Sequence, residues 1–180
     1  IRIRHFDGGF DMKIVILDAY TSNPGDLSWA KFEKLGELKV YERTSRDQIL
    51  ERCRDAEIIL DNKVVLDDEI LSQLPKLKYI GILATGYNIV DVESAKKHGI
   101  TVCNVPTYST TAVAQLTFAL ILEFYNRVAV HDNAVHNGEW VSCKDFCFQK
   151  TPLIELMGKT IGIVGFGKIG NEVAKIANAF

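Results

Sequence analysis

Residues 160–170 read TIGIVGFGKIG, an apolar run followed by three closely spaced glycines. The run Thr160–Val164 predicts a strand, because short apolar runs are typical of buried parallel strands. Ile169–Phe180 carries the start of a helical pattern. A strand that passes directly into a helix through a glycine turn predicts one unit of an α/β fold.

The three glycines follow the pattern Gly-x-Gly-x-x-Gly, and each has its own expected role. Gly165 allows a tight turn, Gly167 allows a pyrophosphate to approach the backbone, and Gly170 allows helix and strand to pack together. Free N–H groups and the positive dipole end at the start of the helix favour phosphates. The alternative is an ordinary strand-to-helix turn without a ligand. We predict a dinucleotide-binding turn formed by Gly165, Phe166, Gly167, Lys168, Ile169 and Gly170.

The first hundred residues alternate short apolar runs with amphipathic stretches. Strand–helix–strand alternation of this kind predicts a parallel sheet with helices on both faces, an α/β architecture. The predicted strands are Lys13–Leu17, Leu38–Tyr41, Ile58–Leu60, Tyr79–Leu83 and Thr101–Asn104.

Capping signals predict three short helices between these strands. Ser45 and Gln48 have the spacing of a capping box, Asp91 can cap a later helix, and Gly99 suits a left-handed helix end. The three helices are predicted over Asp47–Arg54, over Asp67–Leu74 and from Asp91 to Lys97.

The pattern changes after Pro106. Thr110–Asn137 contains neither glycine nor proline and has an apolar first half, which predicts one long helix. Gly138–Met157 follows as an irregular stretch rich in aromatic residues and cysteine. A loop of this length in a compact fold is usually functional or part of an interface.

Composition excludes several classes of protein. The 180 residues are 47% hydrophobic and 24% charged, as in ordinary globular proteins, and contain no apolar run long enough to span a bilayer. The formal net charge of -2 gives no electrostatic argument for a nucleic-acid or membrane partner. The scattered cysteines form no disulfide framework and favour a reducing, cytoplasmic environment; they are Cys53, Cys103, Cys143 and Cys147.

The N-terminal residues 1–11 read IRIRHFDGGFD and precede Met12. The apolar pattern of the first strand starts only at Lys13, and residues 1–11 contain no apolar core of a signal peptide. We therefore interpret residues 1–11 as an extension from an expression vector and exclude them from the fold prediction.

Four ordered blocks resemble one known family. They are ATGYNIVD at residues 84–91, GITVCNVP at 99–106, YSTTAVAQ at 108–115, and GKTIGIV at 158–164, which leads into the glycine turn. From about Met12 to its end, the chain resembles the D-isomer-specific 2-hydroxyacid dehydrogenases, and within them the glycerate dehydrogenase (hydroxypyruvate reductase) type.

The resemblance implies two domains. Residues 12–105 are expected to form the first segment of a flavodoxin-like substrate domain. Residues 106–180 are expected to begin a Rossmann domain that binds NAD. The natural chain is then expected to continue past Phe180, with a second strand whose terminal acidic residue distinguishes NAD from NADP.

The resemblance also implies a site. The backbone around Thr85 and Gly86 is expected to hold the substrate carboxylate, while Thr85 and Val113 contact the cofactor. An ordinary turn and core packing are the alternatives for these positions. Lys63 follows a predicted strand and is a further candidate for electrostatic help to an anionic substrate; the alternative is a surface lysine.

The implied activity is hydride transfer between NAD(H) and C2 of a small D-2-hydroxy or 2-keto acid, such as glycerate, hydroxypyruvate or glyoxylate. NADP is the alternative cofactor. The family's catalytic arginine, glutamate and histidine match no residue here, so the 180-residue chain alone is expected to be inactive. Two alternatives are an NAD-sensing, corepressor-like regulator of the same fold and a phosphorylated receiver-like module.

A homodimer joined through Thr110–Asn137 and the following loop is expected.

Two weaker features suggest other chemistry. His131, His136, Cys143 and Cys147 lie close in sequence, but their spacing fits no standard zinc site, so no metal is predicted. Cys143, Cys147, Phe146 and Phe148 are expected instead in a buried loop or dimer surface. Asp18 ends the first strand like a receiver's phosphoacceptor, but the acidic pair and strand-end lysine of that class are not evident, which favours a turn role.

Overall fold

The computed structural model describes residues 12–180, so the predicted extension over residues 1–11 lies outside the described residues. The described chain forms two compact units, residues 12–106 and residues 107–180. The first unit contains a β-sheet with short helices, and the second is built from helices and irregular segments.

The first unit confirms the predicted parallel sheet. Every strand pair is parallel, and the strand order is β2-β1-β3-β4-β5. β1 lies inside the sheet, hydrogen-bonded to β2 along one edge and to β3 along the other. The strands are β1 (Lys13–Ile16), β2 (Glu37–Val40), β3 (Ile58–Asp61), β4 (Tyr79–Ile82) and β5 (Thr101–Cys103).

Alternate residues of β1 enter two separate apolar clusters. Ile14 and Ile16 pack with Leu60 on one face of the sheet, and Val15 packs with Ile59 on the other. Successive side chains of a strand point to opposite faces, so a fully apolar strand requires cover on both. This arrangement confirms the prediction of a sheet covered on both sides.

Short helices connect the strands, and two predicted caps are formed. The Ser45 N–H donates to Gln48 Oε1 at 3.2 Å, and the Ser94 N–H donates to Asp91 Oδ1 at 2.9 Å. Gly99 ends its helix with a φ of 72°, as predicted. The helices are α1 (Ala19–Ser22), α2 (Ala30–Glu33), a 3-10 turn (Arg46–Gln48), α3 (Ile49–Cys53), α4 (Asp68–Leu71) and α5 (Val92–Lys97).

The prediction of one helix over Thr110–Asn137 is wrong. The segment forms α6 (Thr110–Asn126) and α7 (Val128–His136), bent by 61°. Arg127 lies between them in the left-handed region with a φ of 51°. The Glu123 carboxylate accepts the Ala129 N–H at 3.3 Å and so supplies a cap for the start of α7.

The second unit contains two further helices, α8 (Glu139–Ser142) and α9 (Lys168–Ala177). The predicted strand Thr160–Val164 is a second correction, since no strand is present in the described residues of this unit. A strand is stabilised by hydrogen bonds to a neighbouring strand, and residues 107–159 provide none. Ile163 packs instead against the small core that joins α6 to α9.

The structure contains no single helix among the described residues that is long and apolar enough to cross a membrane. The bent pair α6 and α7 passes that test by length and composition alone.

The bend at Arg127 predicts a stability difference between two variants. Arg127→Val should have a free energy of unfolding lower than that of Arg127→Gly by about 1–2 kcal/mol, because the left-handed conformation is costly for a residue with a Cβ. Both variants lose the arginine side chain, so each serves as the control for the other in urea unfolding. Equal stability of the two variants would contradict the left-handed bend.

Candidate functional site

The turn after β4 carries the predicted substrate residues Thr85 and Gly86, both exposed. The carbonyl groups of this turn are occupied. The Val105 N–H donates to the Ala84 carbonyl at 3.0 Å, and Asn104 Nδ2 donates to the Thr85 carbonyl at 2.7 Å. The Thr85 hydroxyl donates in turn to the Val105 carbonyl at 3.2 Å. These bonds fix the turn against the segment that follows β5.

The backbone N–H groups of the same turn are available. Within the described chain, neither the Thr85 N–H nor the Gly86 N–H donates a hydrogen bond. Exposed, unpaired backbone N–H groups in a turn form a concave surface that suits an anion. The geometry is therefore compatible with the predicted carboxylate-binding role, which remains a prediction.

Lys63 lies at the same edge of the sheet. Strands β3 and β4 are parallel neighbours, and Asp61 pairs with Ile82. Residues that follow two adjacent parallel strands emerge at one edge, so Lys63 and Thr85 are placed on the same side of the first unit. The Lys63 side chain is exposed, while its backbone N–H donates to Asp18 Oδ2 at 2.7 Å.

The edge carries further positive charge that the sequence analysis did not identify. Arg43 and Arg46 line a surface pocket together with Lys63. Arg43 lies over the Tyr20 ring, with 4.4 Å from its guanidinium carbon to the ring centroid. Arg46 forms ion pairs with Asp67 at 2.8 Å and Glu69 at 2.6 Å, so its charge is largely compensated. Because Arg43 and Arg46 follow β2 while Lys63 follows β3, no local motif indicated the pocket.

The structure supports the turn role of Asp18 and corrects only the expectation that it has no acidic neighbour. An acidic neighbour does exist: Asp61, at the end of β3, is fully buried, and the residue after it, Asn62, donates its N–H to Asp18. Asp18 itself is 3% exposed and accepts the Thr21 hydroxyl and the backbone N–H groups of Asn62 and Lys63. This set of partners explains a structural turn role and leaves no accessible oxygen for a phosphoacceptor.

Burial changes the acidity of Asp61. Desolvation first, and then the negative charge of Asp18 and a hydrogen bond with it, raise the pKa of Asp61 to about 8. A carboxyl group with such a pKa keeps its proton at neutral pH. The sequence analysis missed Asp61 because its partner is distant in sequence.

In the second unit, the glycine turn has the backbone conformation that the motif predicts. Gly165 has a φ of 90°, a conformation that side chains rarely adopt. Gly167 precedes α9 as its N-terminal cap residue in an extended conformation. The N–H groups of Lys168, Ile169 and Gly170 lie in the first turn of α9 and have no intrahelical partner.

Gly170 and Gly167 are glycines for different reasons. A Cβ on Gly170 would collide with the Gly165 carbonyl oxygen and approach Ile163 Cγ2 to 3.2 Å, so close packing of the turn on α9 requires this glycine. A Cβ on Gly167 would meet no described atom within 4 Å. The open space beside Gly167 suits an external group at the start of the helix.

The remaining predicted cofactor residues are accessible. Phe166 is 66% exposed, Ile169 is 38% exposed, and Lys168 is also exposed. Val113 lies in the first turn of α6 and is 39% exposed, so the alternative of complete core packing does not apply within its own unit. Its contact with a cofactor remains a prediction.

The histidines and cysteines of the second unit are engaged separately. His131 Nε2 accepts the Lys150 N–H at 3.1 Å, and His131 Nδ1 lies 2.8 Å from the Arg127 carbonyl oxygen. Cys143 Sγ lies 3.7 Å from the Cys147 carbonyl oxygen. No group of three or more metal-ligating side chains occurs among residues 12–180. Phe146 is 90% exposed in this chain, so the buried-loop alternative is wrong for it.

An α/β unit with free backbone N–H groups at the carboxyl edge of its sheet, together with a glycine-rich helix start, is compatible with the class of nucleotide-dependent dehydrogenases. The model of the D-isomer specific 2-hydroxyacid dehydrogenase catalytic domain matches residues 14–167. The chain belongs to this family.

A hydroxypyruvate reductase from Blautia hydrogenotrophica is 48% identical over 171 residues, which cover 93% of this chain and 53% of the relative. An acyclic imino acid reductase, solved with NADPH and D-Arg, has a TM-score of 0.74 and 30% identity. The NADPH-dependent glyoxylate/hydroxypyruvate reductase of Sinorhizobium meliloti, solved with NADP and malonate, has a TM-score of 0.67 and 25% identity. These matches cover 93% and 94% of this chain and 53% and 50% of the solved chains. The chain therefore spans about half the length of the relatives it matches.

The contrast between the two glycines predicts different stabilities. Gly170→Ala should lower the free energy of unfolding of the 180-residue chain by about 1–3 kcal/mol, as overpacking does in a close contact. Gly167→Ala should change it by less than about 0.5 kcal/mol, as is usual for exposed positions. Urea unfolding followed by circular dichroism measures both. A fully stable Gly170→Ala variant would show that the turn does not pack on α9.

Proposed function

We propose that this chain is part of an NAD(P)-dependent oxidoreductase that transfers a hydride between nicotinamide and C2 of a small D-2-hydroxy or 2-keto acid. The observation that carries the proposal is the glycine turn, where the open space at Gly167 faces the start of α9. The hydroxypyruvate reductase relative at 48% identity supports hydroxypyruvate as a substrate, and the glyoxylate/hydroxypyruvate reductase of Sinorhizobium meliloti supports glyoxylate.

We assign the substrate carboxylate to the turn at Thr85 and Gly86. The bonds to Asn104 and Val105 occupy the carbonyl groups of the turn and leave its N–H groups free to donate. Lys63 contributes a positive charge at the same edge of the sheet. A flexible lysine acts here as a point charge, whereas the backbone N–H groups define the direction of the carboxylate.

We assign the cofactor pyrophosphate to residues 165–170. The N–H groups of the first turn of α9 and its positive dipole end would hold the phosphates, and Gly167 would permit their close approach. Thr85 and Val113 are assigned to the nicotinamide end of the cofactor. The bound cofactor supplies the hydride, while the protein orients it and excludes competing reactions.

No catalytic acid is assigned among the described residues. His98 caps the C-terminal end of α5, ahead of β5, and therefore lies toward the amino edge of the sheet, away from Thr85. His131 has both ring nitrogens engaged with its own unit. Because a general acid must be within hydrogen-bond reach of the substrate oxygen, we propose that these 180 residues do not suffice for turnover.

The proposal predicts that the complete protein containing this chain reduces small 2-keto acids, and that a side chain at Gly167 weakens its cofactor binding. That protein should oxidise NADH or NADPH with hydroxypyruvate or glyoxylate, measured as loss of absorbance at the nicotinamide band. Gly167→Val should weaken cofactor binding at least tenfold, because a side chain there occupies the position of the pyrophosphate. Cofactor fluorescence titration measures the affinity, and circular dichroism checks the fold.

The controls separate the possible results. Lys175→Met serves as the control variant, since it changes an exposed residue in the last turn of α9 and lies outside residues 165–170. Unchanged cofactor affinity in a folded Gly167→Val variant would refute the phosphate site. Cofactor binding without turnover of any small 2-keto acid would refute the enzyme and favour an NAD-sensing regulator.

We further propose that the complete protein is a cytoplasmic homodimer. All four cysteines are free, as is usual in a reducing compartment. Helix α6 exposes Leu116, Leu120 and Phe124 at intervals of four residues, which form one apolar stripe. A continuous exposed apolar stripe marks an association surface, and a second copy of the chain is the partner we assign to it.

The stripe predicts an association defect. Leu120→Glu should convert a dimer into a monomer at micromolar concentration, because an unpaired charge in an apolar interface is strongly unfavourable. Lys31→Glu, an exposed change in α2 of the first unit, is the control for charge alone. Light scattering on the complete protein measures the mass. A wild-type monomer, or a Leu120→Glu dimer, would contradict the assignment.

A further inference from the structure

The strand ends of the first unit bring two buried carboxyl groups together. Asp18 follows β1 and Asp61 ends β3, which are parallel neighbours in the sheet. Asp18 is 3% exposed, and Asp61 is fully buried. Two adjacent ionised carboxylates would each lose hydration and repel each other, which is unfavourable without further partners.

The hydrogen-bond partners of the two groups are unequal. Asp18 accepts three donors: the Asn62 N–H at 3.0 Å, the Lys63 N–H at 2.7 Å and the Thr21 hydroxyl at 2.8 Å. Such donors stabilise a carboxylate. Asp61 Oδ1 accepts the Val64 N–H at 3.1 Å, while Asp61 Oδ2 is buried and has no protein hydrogen-bond donor. The absence of a donor to Asp61 Oδ2 is explained if this oxygen carries a proton of its own.

We propose that Asp18 and Asp61 hold one proton between them, and that this pair positions the Asn62–Lys63 turn at the carboxyl edge of the sheet. The proton resides on the Asp61 carboxyl group and is donated to Asp18. Asp18 can then accept four hydrogen bonds, the full capacity of a carboxylate. Because two of those bonds come from Asn62 and Lys63, the state of the pair determines how firmly the backbone of Lys63 is held. Asp61 is a positioning residue in this arrangement.

The other titratable groups around the pair are Cys53 and three cations. Cys53 lies at the end of α3. Burial, and to a smaller extent the charge of Asp61, raises the pKa of the Cys53 thiol to about 12, so this thiol is neutral. Lys63, Arg43 and Arg46 line the pocket beside Asp18, and Arg46 is paired with Asp67 and Glu69. No cation within the described chain is recorded in a salt bridge with Asp18 or Asp61.

The sign of the pH effect follows from the acidity of Asp61. Its pKa is raised in the folded protein, so the folded state binds this proton more tightly than the unfolded state. The stabilisation is complete below the unfolded pKa of about 4, decreases as pH rises, and is lost once pH passes the folded value. Above that pH, repulsion between two carboxylates should loosen the bonds from Asn62 and Lys63.

The test is an NMR titration of the 180-residue chain from pH 4.5 to 9.5. The Asp61 carboxyl carbon should titrate with a midpoint above pH 6. The amide signals of Asn62 and Lys63 should shift with the same midpoint, since both amides donate to Asp18. Asp68 is the internal control: a hydrogen bond from Ser94 lowers its pKa, so its carbon should stay constant through this range. An Asp61 midpoint below pH 5, or amides that do not follow it, would overturn the proposal.

The variant Asp61→Asn provides a second measurement. Asparagine keeps a donor for Asp18 and an acceptor for Val64 but cannot ionise, so the pH-dependent amide shifts of residues 62 and 63 should disappear. Relative to this variant, the wild-type unfolding constant should rise by up to tenfold per pH unit between about pH 5 and 7. A wild-type chain whose stability tracks that of Asp61→Asn across this range would overturn the shared proton. If Asp61→Asn does not fold, the wild-type titration alone decides.

Discussion

The parallel register of β1, β3 and β4 is the constraint on which the arrangement of the first unit depends. Ile16 pairs with Leu60, and Asp61 pairs with Ile82, so all three strands end at one edge of the sheet. Parallel strands run in one direction, and each connection must return to the opposite edge before the next strand begins. Residues from distant parts of the sequence therefore meet here, as the 2.7 Å bond between the Lys63 N–H and Asp18 shows.

The same constraint divides the edge into a buried part and an exposed part. Two apolar layers cover β1 and β3 along their whole length. The carboxyl groups of Asp18 and Asp61 at the strand ends are therefore shielded from water. Charge is costly in that environment unless donors surround it. One residue or more beyond, Lys63 and Thr85 are exposed. Buried groups thus shape the loops, and the exposed groups beyond them are free to contact a ligand.

The sequence predicted the parallel sheet because each strand is a short apolar run, and the cap at Asp91 because its signal is local. The helix over Thr110–Asn137 was predicted too long because the bend at Arg127 needs neither glycine nor proline. Its cap comes from the Glu123 side chain six residues before Ala129. A left-handed arginine carries no compositional signal, so only the structure identifies it.

Of the candidate site, the sequence predicted the elements whose chemistry is local. The residue types of the glycine turn indicate its backbone conformation, as the φ of 90° at Gly165 illustrates. The pair formed by Asp18 and Asp61 is not local, because its members lie 43 positions apart in the sequence and each aspartate alone resembles an ordinary turn residue. Hydrophobic periodicity identifies a strand and its approximate end, but not which strands are neighbours in the sheet.

The two glycines of the second unit show how a structural requirement can be separated from a ligand requirement. Gly170 is explained by the protein itself, since any side chain there would meet the Gly165 carbonyl and Ile163. Gly167 has no such explanation within its own unit: its φ is ordinary, and the space around it is open. An ordinary turn accounts for the first glycine and leaves the second unexplained. A phosphate group at the start of α9 would account for the second, and for that reason the proposed cofactor site rests on Gly167 rather than on the motif as a whole.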